Sequence, residues 1–307
     1  MHYDAIIVGG GPAGLSAALV LGRSRRSVLV IDAGNPRNAA SHALHNYLTR
    51  DGANPSRFLQ LARREVAAYK VEFRSGWVSA ATCTDPGFKV RLKVGGTLTA
   101  RALLLSTGVV DELPTISNVR DFYGKGVHHC PYCDGYEYRG KPLAAYGEGP
   151  QGVGLALNLL TWSDDITVVT NGGRLPAASI RQARRYGIKI RTEAIITLRS
   201  KRGRPTSSLK DGLGALRFEH GPDLKVAAMF FNTDKMQRST LPLELGCKVN
   251  PQGGIVHDRK QRTGVRGLYL AGDASFDVQF VIVAAAEGAK AGVAMNRDLQ
   301  EWDRENM

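Results

Sequence analysis

The sequence predicts an α/β protein made of two related domains, each beginning with a β-strand, a glycine-rich turn and a helix. Two such turns occur in the 307 residues, at 9–14 and 147–152, and each follows an apolar strand. Recurrence of one pattern within a chain indicates an internal duplication. The length suffices for two cores, and 43% hydrophobic with 22% charged residues is ordinary for a globular protein.

The first glycine-rich turn has the spacing G-x-G-x-x-G and lies in a βαβ context. An apolar strand over residues 4–8 precedes it, and a helix and a second apolar strand ending at Asp32 follow it. In this motif Gly9 permits the tight turn, Gly11 lets a pyrophosphate approach the backbone, and Gly14 allows close packing of helix on strand. The helix N-terminus then faces the phosphates, and Asp32 is placed to accept from ribose hydroxyls. The motif predicts a Rossmann-like dinucleotide-binding domain but does not distinguish FAD from NAD.

The second turn predicts another Rossmann-like dinucleotide-binding domain, with an incomplete ligand site. The strand after its helix runs into residues 170–173, Thr-Asn-Gly-Gly. This stretch has neither an acid for an NAD ribose nor an arginine cluster for a 2′-phosphate, and Arg174 is the nearest cation. Glu148, within the turn, would place a negative charge near a pyrophosphate if its side chain points inward.

Cys130 and Cys133 form a C-x-x-C pair, Cys-Pro-Tyr-Cys, just before the second glycine-rich turn. In a cytosolic protein such a pair is more often catalytic or metal-binding than structural. A thiolate is the nucleophile of thiol–disulfide exchange, and C-x-x-C motifs in general favour the thiolate of one cysteine. We expect no metal, because the adjacent His128 and His129 point apart and no second ligand pair is evident.

The remaining composition indicates a cytoplasmic protein without membrane or nucleic-acid partners. No apolar stretch has membrane-spanning length, and the first residues run directly into the predicted strand, which leaves no room for a signal peptide. No nucleic-acid-binding motif accompanies the positive charge. The isolated Cys83 and Cys247 are expected in or near a core. The residues after Ala294, including Trp302, are expected to form a solvated tail.

The net charge of +13 is distributed unevenly. The segment Arg174–Lys210, here called the basic segment, contains eleven lysine and arginine residues and one acid, Glu193. It fits either a solvated basic face or a docking site for an acidic protein or a phosphorylated ligand.

Together these motifs resemble those of the thioredoxin reductase family of small flavoprotein disulfide reductases. The resemblance extends over nearly the whole chain, and its most specific element is Cys130–Gly135, a C-x-x-C-D-G directly before the second turn. It implies that residues 1–115 and 245–307 form a FAD-binding domain. It also implies that residues 116–244 form an inserted NADPH-type domain, which carries the cysteine pair.

The resemblance further implies which residues serve FAD. By position, the ADP half lies against the first turn and Asp32, Asp273 holds the ribityl chain, and the helix after Gln279 faces the pyrimidine edge of the flavin. The residues assigned to FAD in this way are Gly9, Gly11, Pro12, Ala13, Gly14, Asp32, Asn46, Thr107, Gly108, Gly272, Asp273, Gln279 and Phe280.

For the cysteine pair the resemblance implies a division of roles. Cys133 faces the flavin, Cys130 attacks the external disulfide, and Asp134 moves a proton on and off the leaving thiol. FAD carries the electrons, and the protein holds the sulfur of Cys133 against the flavin ring. The implied partner is a thioredoxin-like protein or a small dithiol or disulfide, and a homodimer is expected.

The chain departs from the family in the second domain. NADPH-dependent members carry a His-Arg-Arg-type basic cluster where this chain has residues 170–174. We therefore expect weakened or absent use of NADPH. Some branches of the family are fed by ferredoxin, and an acidic donor of that kind would suit the basic segment.

A second departure is His129, directly before Cys130, where thioredoxin reductases have small residues. Dithiol oxidases of the same superfamily, which pass electrons to oxygen, are similar in placing a histidine there, and residues 42–52 resemble that branch. His129 would then be the base that deprotonates an incoming thiol. A histidine hydrogen-bonded within a loop is the structural alternative.

The predicted function is FAD-dependent thiol–disulfide oxidoreduction. Electrons pass between the flavin and the Cys130/Cys133 pair and on to a protein disulfide, without NADPH. The enzyme alternatives are a dithiol oxidase that uses oxygen and an NADPH-dependent thioredoxin reductase with an unusual site. A redox-sensing or flavin-storing protein that does not turn over is the alternative outside catalysis.

Overall fold

The computed structural model describes residues 2–205 and 211–307, which form two compact units. The first unit comprises the residues up to Ala39, Asn46–Val110 and Met236–Met307, and the second comprises Ala40–His45 and Asp111–Lys235. Lys210, at the end of the basic segment, lies outside the described residues.

The secondary structure alternates between strands and helices along most of the chain. The first elements are β1 (His2–Val8), α1 (Pro12–Arg23), β2 (Val28–Asp32), α2 (Pro55–Ala67), β3 (Glu72–Ser75), β4 (Val78–Cys83), β5 (Phe88–Leu92), β6 (Thr97–Leu105) and β7 (Val109–Asp111). They are followed by α3 (Val119–Phe122), β8 (Val127–His128), α4 (Pro131–Asp134), β9 (Leu143–Tyr146), α5 (Gly149–Leu159), β10 (Ile166–Val169), α6 (Ala177–Arg185), β11 (Lys189–Arg191), β12 (Ile195–Ser200), β13 (Leu213–Phe218), β14 (Leu224–Lys225) and β15 (Ala228–Phe231). The last are β16 (Lys235–Gln237), α7 (Leu241–Glu244), β17 (Leu268–Leu270) and α8 (Val281–Glu305).

The first unit is built on a mostly parallel sheet with the strand order β3-β2-β1-β6. On the edge away from β1, the long strand β6 pairs with two different strands. The second half of β6 pairs with β17 in parallel, and its first half pairs with β5 in antiparallel, with β4 beyond. The carboxyl ends of β1, β2, β6 and β17 therefore meet at one edge of the sheet, which is where open parallel sheets bind ligands.

Both faces of this sheet are buried, which explains the continuous apolar strands in the sequence. Neighbouring residues of β1, such as Ile6 and Ile7, belong to two different cores, one on each face. Helices α1 and α8 cover one face and pack closely together. Their crossing requires a small residue, because a Cβ at Gly288 would lie 2.0 Å from the carbonyl oxygen of Ala13.

The second unit contains a five-stranded parallel sheet, β11-β10-β9-β15-β8, and a separate antiparallel sheet of β12, β13 and β14. Its glycine-rich turn repeats the internal packing of the first. A Cβ at Gly152 would lie 2.2 Å from the carbonyl oxygen of Gly147, and a Cβ at Gly14 would lie 2.0 Å from that of Gly9. The predicted α/β fold with two Rossmann-type sheets is confirmed.

The two units divide the chain at positions other than the expected boundaries at 115 and 245. Residues 236–244 belong to the first unit, where Nε2 of Gln237 donates to the carbonyl oxygen of Ala274 at 2.8 Å. The short segment Ala40–His45 belongs to the second unit. Such assignments depend on contacts between residues far apart in the chain, which the sequence pattern does not reveal.

The C-terminal residues do not form the solvated tail that the sequence suggested. Helix α8 continues to Glu305, and Trp302 packs against the core beneath α1 and α8. The guanidinium groups of Arg101 and Arg266 lie over its ring, 6.0 and 5.3 Å from the ring centre, and these cation–π contacts anchor the end of the helix. Within the described residues no helix is both long and apolar enough to cross a membrane.

A polar cluster around Asp298 ties α8 to the sheet of the first unit. The carboxylate accepts from Nε of Arg262 at 3.0 Å, from a second guanidinium nitrogen of Arg262 and from the hydroxyl of Tyr269. Burial alone would raise the pKa of Asp298, but these hydrogen bonds and the charge of Arg262 lower it below its usual value. The ionised carboxylate therefore stabilises the folded state.

Replacing Asp298 by Asn is expected to destabilise the first unit by about 2 kcal/mol at neutral pH, because hydrogen bonds to a charged group are lost. The melting temperature should fall by roughly 5 °C. Since folding lowers the pKa of Asp298, its contribution is present above the unfolded value near 3.8 and is lost as the pH falls through the folded value. Scanning calorimetry at neutral pH and at about pH 3 should therefore show a smaller difference in acid.

Glu305→Gln is the matched control for this substitution. Glu305 lies 3.7 Å from Arg266, both side chains are more than half exposed, and exposed pairs contribute less than about 1 kcal/mol. Equal melting temperatures for Asp298→Asn and the wild type at neutral pH would contradict the stabilising role of the cluster.

Candidate active site

The first glycine-rich turn forms an open cradle at the carboxyl edge of its sheet. Gly9 has a positive φ of 111°, and a Cβ there would lie 2.2 Å from the carbonyl oxygen of Ser106. At Gly11, which precedes α1, a Cβ would meet nothing within 4 Å, so this position faces open space. Pro12 and Ala13 then begin the helix. The turn can therefore receive a phosphate group against the backbone at the helix N-terminus.

Asp32 ends β2 beside this turn, and a Cβ at Gly10 would lie 2.8 Å from its carboxyl carbon. The carboxylate forms an ion pair with Arg63 of α2, a residue that the sequence analysis missed. This pair holds the acid at the corner where ribose hydroxyls are expected. No sequence signal identifies Arg63, because it lies 31 residues from Asp32 and meets it only when α2 packs onto the sheet.

A second polar cluster at the same edge surrounds Asp273, which follows β17. Nη1 of Arg37 donates to Oδ2 of Asp273 at 2.8 Å and to Oε1 of Gln279 at 2.9 Å. On α8, Oε2 of the buried Glu287 accepts from the backbone N–H of Gly272 at 2.6 Å, and burial raises the pKa of this carboxyl group. Sequence reasoning missed Arg37 and Glu287, because each is distant in the chain from the residue that it holds.

The other residues assigned to FAD lie at the ends of strands and helices. Thr107 and Gly108 follow β6, Phe280 precedes α8, and Asn46 lies before α2 with its backbone N–H donating to Asp51 at 2.9 Å. The hydroxyl of Thr107 is buried and has no hydrogen-bond partner among the described residues. Because a buried polar group without a partner is costly, a ligand group fits there. Together with the open cradle, this hydroxyl fits a bound dinucleotide such as FAD.

In the second unit Cys130 and Cys133 are joined by a disulfide, with Cα atoms 5.2 Å apart. Cys130 is the N-cap of the single turn of α4 and Cys133 lies within that turn, where its backbone N–H donates to Sγ of Cys130 at 3.1 Å. A hydrogen bond of this kind favours the thiolate of Cys130 once the disulfide is reduced. Packing explains the glycine of the C-x-x-C-D-G motif, because a Cβ at Gly135 would lie 2.7 Å from the ring of Trp162.

Asp134 is held by His128, the buried member of the two adjacent histidines. Nδ1 of His128 lies 3.2 Å from Oδ1 of Asp134, and Nε2 lies 3.1 Å from both the backbone nitrogen of Gly126 and the hydroxyl of Tyr138. A backbone N–H only donates, so Nε2 carries the lone pair and Nδ1 carries the proton that Asp134 accepts. His128 is therefore a neutral donor, and both of its nitrogens are used inside the protein.

The electrostatic surroundings keep Asp134 ionised. Burial alone would raise its pKa, but the hydrogen bond from His128 and the charges of His129 and His45 lower the pKa below its usual value. Burial and the charge of Asp134 raise the pKa of the neighbouring Tyr138 to about 12. Asp134 is therefore a carboxylate at neutral pH, which is the form that can accept a proton. The fold thus places three histidines around the acid that follows the cysteine pair.

Glu148 lies across the carboxyl end of β10 in the second unit. It precedes α5, and a Cβ at Gly173 would lie 2.6 Å from Cγ of Glu148. The segment after β10 is held by its own hydrogen bonds. The hydroxyl of Thr170 donates to the carbonyl oxygen of Gly173, and Oδ1 of Asn171 accepts from the backbone N–H of Ile195, both at 2.7 Å. A carboxylate therefore stands at the corner where a nucleotide ribose would bind in this fold.

A dinucleotide cradle in one unit and a cysteine pair in the other define a flavoprotein of the disulfide oxidoreductase class. The chain matches the family described as "Pyridine nucleotide-disulphide oxidoreductase" over residues 3–288. It belongs to this family, whose thioredoxin reductase-like members bind a flavin.

Several known proteins are similar to this chain over most of its length. A "Probable thioredoxin reductase" from Arthroderma benhamiae is 30% identical, and the alignment covers 98% of this chain and 81% of the relative. Thioredoxin reductase tcpT from Claviceps purpurea is 33% identical, with 94% and 92% covered. Among solved structures, the protein HlmI is 33% identical with a TM-score of 0.91, and 99% of this chain and 95% of that chain are covered. The prediction of a thioredoxin reductase-like flavoprotein disulfide oxidoreductase is confirmed.

Gly11→Ala is expected to weaken flavin binding about 10-fold, or roughly 1.4 kcal/mol, without lowering the melting temperature of the apoprotein. The added methyl group meets no protein atom but enters the space in front of the helix N-terminus, where a pyrophosphate approaches. Titration of the apoprotein with FAD measures the affinity, and calorimetry without FAD measures the stability.

Gly14→Ala is the contrasting variant, because its methyl group would lie 2.0 Å from the carbonyl oxygen of Gly9 and should lower the melting temperature. Wild-type flavin affinity in Gly11→Ala would show that the cofactor does not approach this turn.

Proposed function

We propose that the protein is a FAD-dependent thiol–disulfide oxidoreductase that does not use NADPH as its electron donor. Electrons move between FAD and the Cys130/Cys133 pair and on to a protein disulfide. The observation that carries this proposal is the disulfide of that pair beside an ionised Asp134. A thioredoxin-like protein is the proposed partner, which the names of the two fungal relatives support.

FAD, when bound, supplies a carrier for the two electrons. In the reduced protein the thiolate of Cys130 attacks one sulfur of the partner's disulfide, which forms a mixed disulfide and releases the other partner sulfur. Cys133 loses its proton to Asp134 and attacks Sγ of Cys130. This restores the internal disulfide and releases the second partner sulfur, which takes the proton from Asp134. Two electrons have then passed from the cysteine pair to the partner.

Two features of the second unit support independence from NADPH. The carboxylate of Glu148 would repel a 2′-phosphate at the corner where β10 ends. Residues 170–173 supply a hydroxyl, an amide and backbone groups at this corner, but no cation to pair with a phosphate. These features therefore favour a function without NADPH over that of an NADPH-dependent thioredoxin reductase.

For the electron donor we propose an acidic protein such as a ferredoxin. Several cations of the basic segment are already neutralised by ion pairs, namely Lys189, Arg191, Arg199 and Arg202. Arg181, Arg184 and Arg185 on α6 are exposed and form no ion pair within the part of the chain that the structure describes. Unneutralised positive charge concentrated on one helix suits an acidic partner.

A dithiol oxidase that passes electrons to oxygen is the second candidate. His129 favours it, because a histidine directly before Cys130 is suited to deprotonating an incoming thiol. In this direction a substrate dithiol reduces the Cys130–Cys133 disulfide, and oxygen takes up the two electrons. The homodimer and the cytoplasmic location stay predictions.

In an anaerobic titration of the flavin-loaded protein, a small dithiol is expected to bleach the visible flavin absorbance, whereas NADPH and NADH are not. Cys130→Ser and Cys133→Ser should each abolish the bleaching, because both sulfurs are needed to pass two electrons. Cys83→Ser is the matched control, since Cys83 is exposed and outside the pair, whereas Cys247 is buried.

Rapid bleaching by NADPH would instead identify an NADPH-dependent thioredoxin reductase. Dithiol bleaching that persists in Cys130→Ser would contradict the cysteine–flavin circuit and favour a flavin-storing or redox-sensing protein. Uptake of oxygen by the dithiol-reduced enzyme, at the rate at which dithiol is consumed, would favour the oxidase.

Arg184→Glu combined with Arg185→Glu is expected to slow reduction by ferredoxin about 10-fold at low ionic strength, because electrostatic attraction of the acidic donor is lost. The difference should shrink as salt is added. Arg57→Glu combined with Arg64→Glu on α2 makes the same change in charge on the first unit and serves as the control. Equal reduction rates in the two double variants would exclude α6 as the docking surface.

A further inference from the structure

His129 is connected through Nδ1 to two further polar side chains of the second unit. The hydroxyl of Tyr123 donates to Oδ2 of Asp111 at 3.0 Å and lies 3.2 Å from Nδ1 of His129. The rings of Tyr123 and His129 also lie against each other at a tilt, with centres 6.2 Å apart, and both contact the ring of Phe231. Asp111 ends β7, Tyr123 follows α3 and His129 follows β8, so three separate elements assemble this group.

The direction of each hydrogen bond in this group follows from its donors and acceptors. A carboxylate only accepts, so the hydrogen of the Tyr123 hydroxyl lies in the bond to Asp111. The oxygen of Tyr123 is then the acceptor for His129, and Nδ1 of the imidazole must carry its proton. In a neutral imidazole the lone pair that can take up a proton is then on Nε2.

We propose that Tyr123 and Asp111 are positioning residues that fix His129 in the tautomer whose Nε2 accepts the thiol proton at the cysteine pair. This role rests on the proposed function, where Asp134 takes the proton of Cys133 and His129, in the oxidase direction, takes that of an incoming thiol. Nε2 takes the proton of an S–H group, which leaves a thiolate and an imidazolium. The positive charge is stabilised through the Nδ1–H bond to Tyr123 and by the carboxylate of Asp111. In the reductase direction Nε2 takes the proton of Cys130, and the imidazolium gives it to the first partner sulfur released, while Asp134 serves the second.

The neighbouring His128 cannot take this role. It is buried, the backbone N–H of Gly126 occupies its Nε2, and its Nδ1–H is donated to Asp134. His129 is only half-buried, and it lies close enough to Asp134, which follows directly after Cys133, for an imidazolium there to lower the pKa of that carboxyl group. Of the two adjacent histidines, only His129 combines the required tautomer with a place next to the thiol chemistry.

Nitrogen NMR of the flavin-loaded protein carrying ¹⁵N-labelled histidine reports the tautomer directly, with His129 assigned by its absence in His129→Gln. The wild type is expected to show the Nδ1–H form. Tyr123→Phe keeps the ring and its contact with Phe231 but removes the hydroxyl, so we expect a mixture with the Nε2–H form. Its disulfide should be reduced by a small dithiol about 10-fold more slowly, as expected for a weakened general base.

Three further variants separate this role from a general loss of structure. Asp111→Asn retains an oxygen that accepts from Tyr123 and should keep the tautomer, whereas Asp111→Leu should lose it. Tyr136→Phe removes the hydroxyl of an exposed tyrosine close to the pair and should change neither the spectrum nor the rate. The rate is followed by alkylating the thiols released from Cys130 and Cys133, so that it does not depend on any electron acceptor.

An Nε2–H signal for wild-type His129, or an unchanged tautomer in Tyr123→Phe, would overturn the proposal. A different result would count against the proposed function alone. If Tyr123→Phe loses the tautomer but His129→Gln is reduced at the wild-type rate, Tyr123 and Asp111 do orient the imidazole, and His129 is not the base.

Discussion

The hydrogen-bond ladders of β6 set the geometry of the whole candidate flavin site. This strand pairs with β1 on one side and with β17 and β5 on the other. At its end, Oγ of Ser106 lies 3.0 Å from the carbonyl oxygens of both Val8 and Gly9. Because ladders fix the register of parallel strands, the ends of β1, β6 and β17 cannot shift independently. The sheet therefore fixes the distances between the glycine-rich turn, Thr107 and Asp273.

In the second unit the corresponding constraint is the alternation of side chains at the end of β8. Neighbouring residues of a strand point to opposite faces, so His128 enters the core and His129 does not. His128 uses its nitrogens to hold Asp134 and the backbone of Gly126, and this keeps the segment around the cysteine pair in place. The same alternation brings the two imidazole rings against different neighbours, Phe230 for His128 and Phe231 for His129.

The features that sequence reasoning found are those whose chemistry lies within a few consecutive residues, such as the glycine spacing and the C-x-x-C-D-G motif. The contacts of Arg63 with Asp32 and of Arg37 with Asp273 join residues that are 31 and 236 positions apart, so only the folded chain reveals them. The position of Trp302 near the end of the chain, beyond the apolar helix pattern that stops at Ala294, predicts a solvated tail. Its packing uses one face of a helix, and that helix continues further than the apolar pattern indicated.

At the corner next to each glycine-rich turn, a carboxylate packs against a glycine, but the two residues have exchanged places. In the first unit the glycine is Gly10 of the turn and the acid is Asp32 at the strand end. In the second unit the acid is Glu148 of the turn and the glycine is Gly173 beyond the strand. The glycines that shape the turns themselves are the same in both. Backbone shape and ligand chemistry are thus encoded by different residues, so a substitution at this corner can change the charge offered to a ligand while the turn keeps its shape.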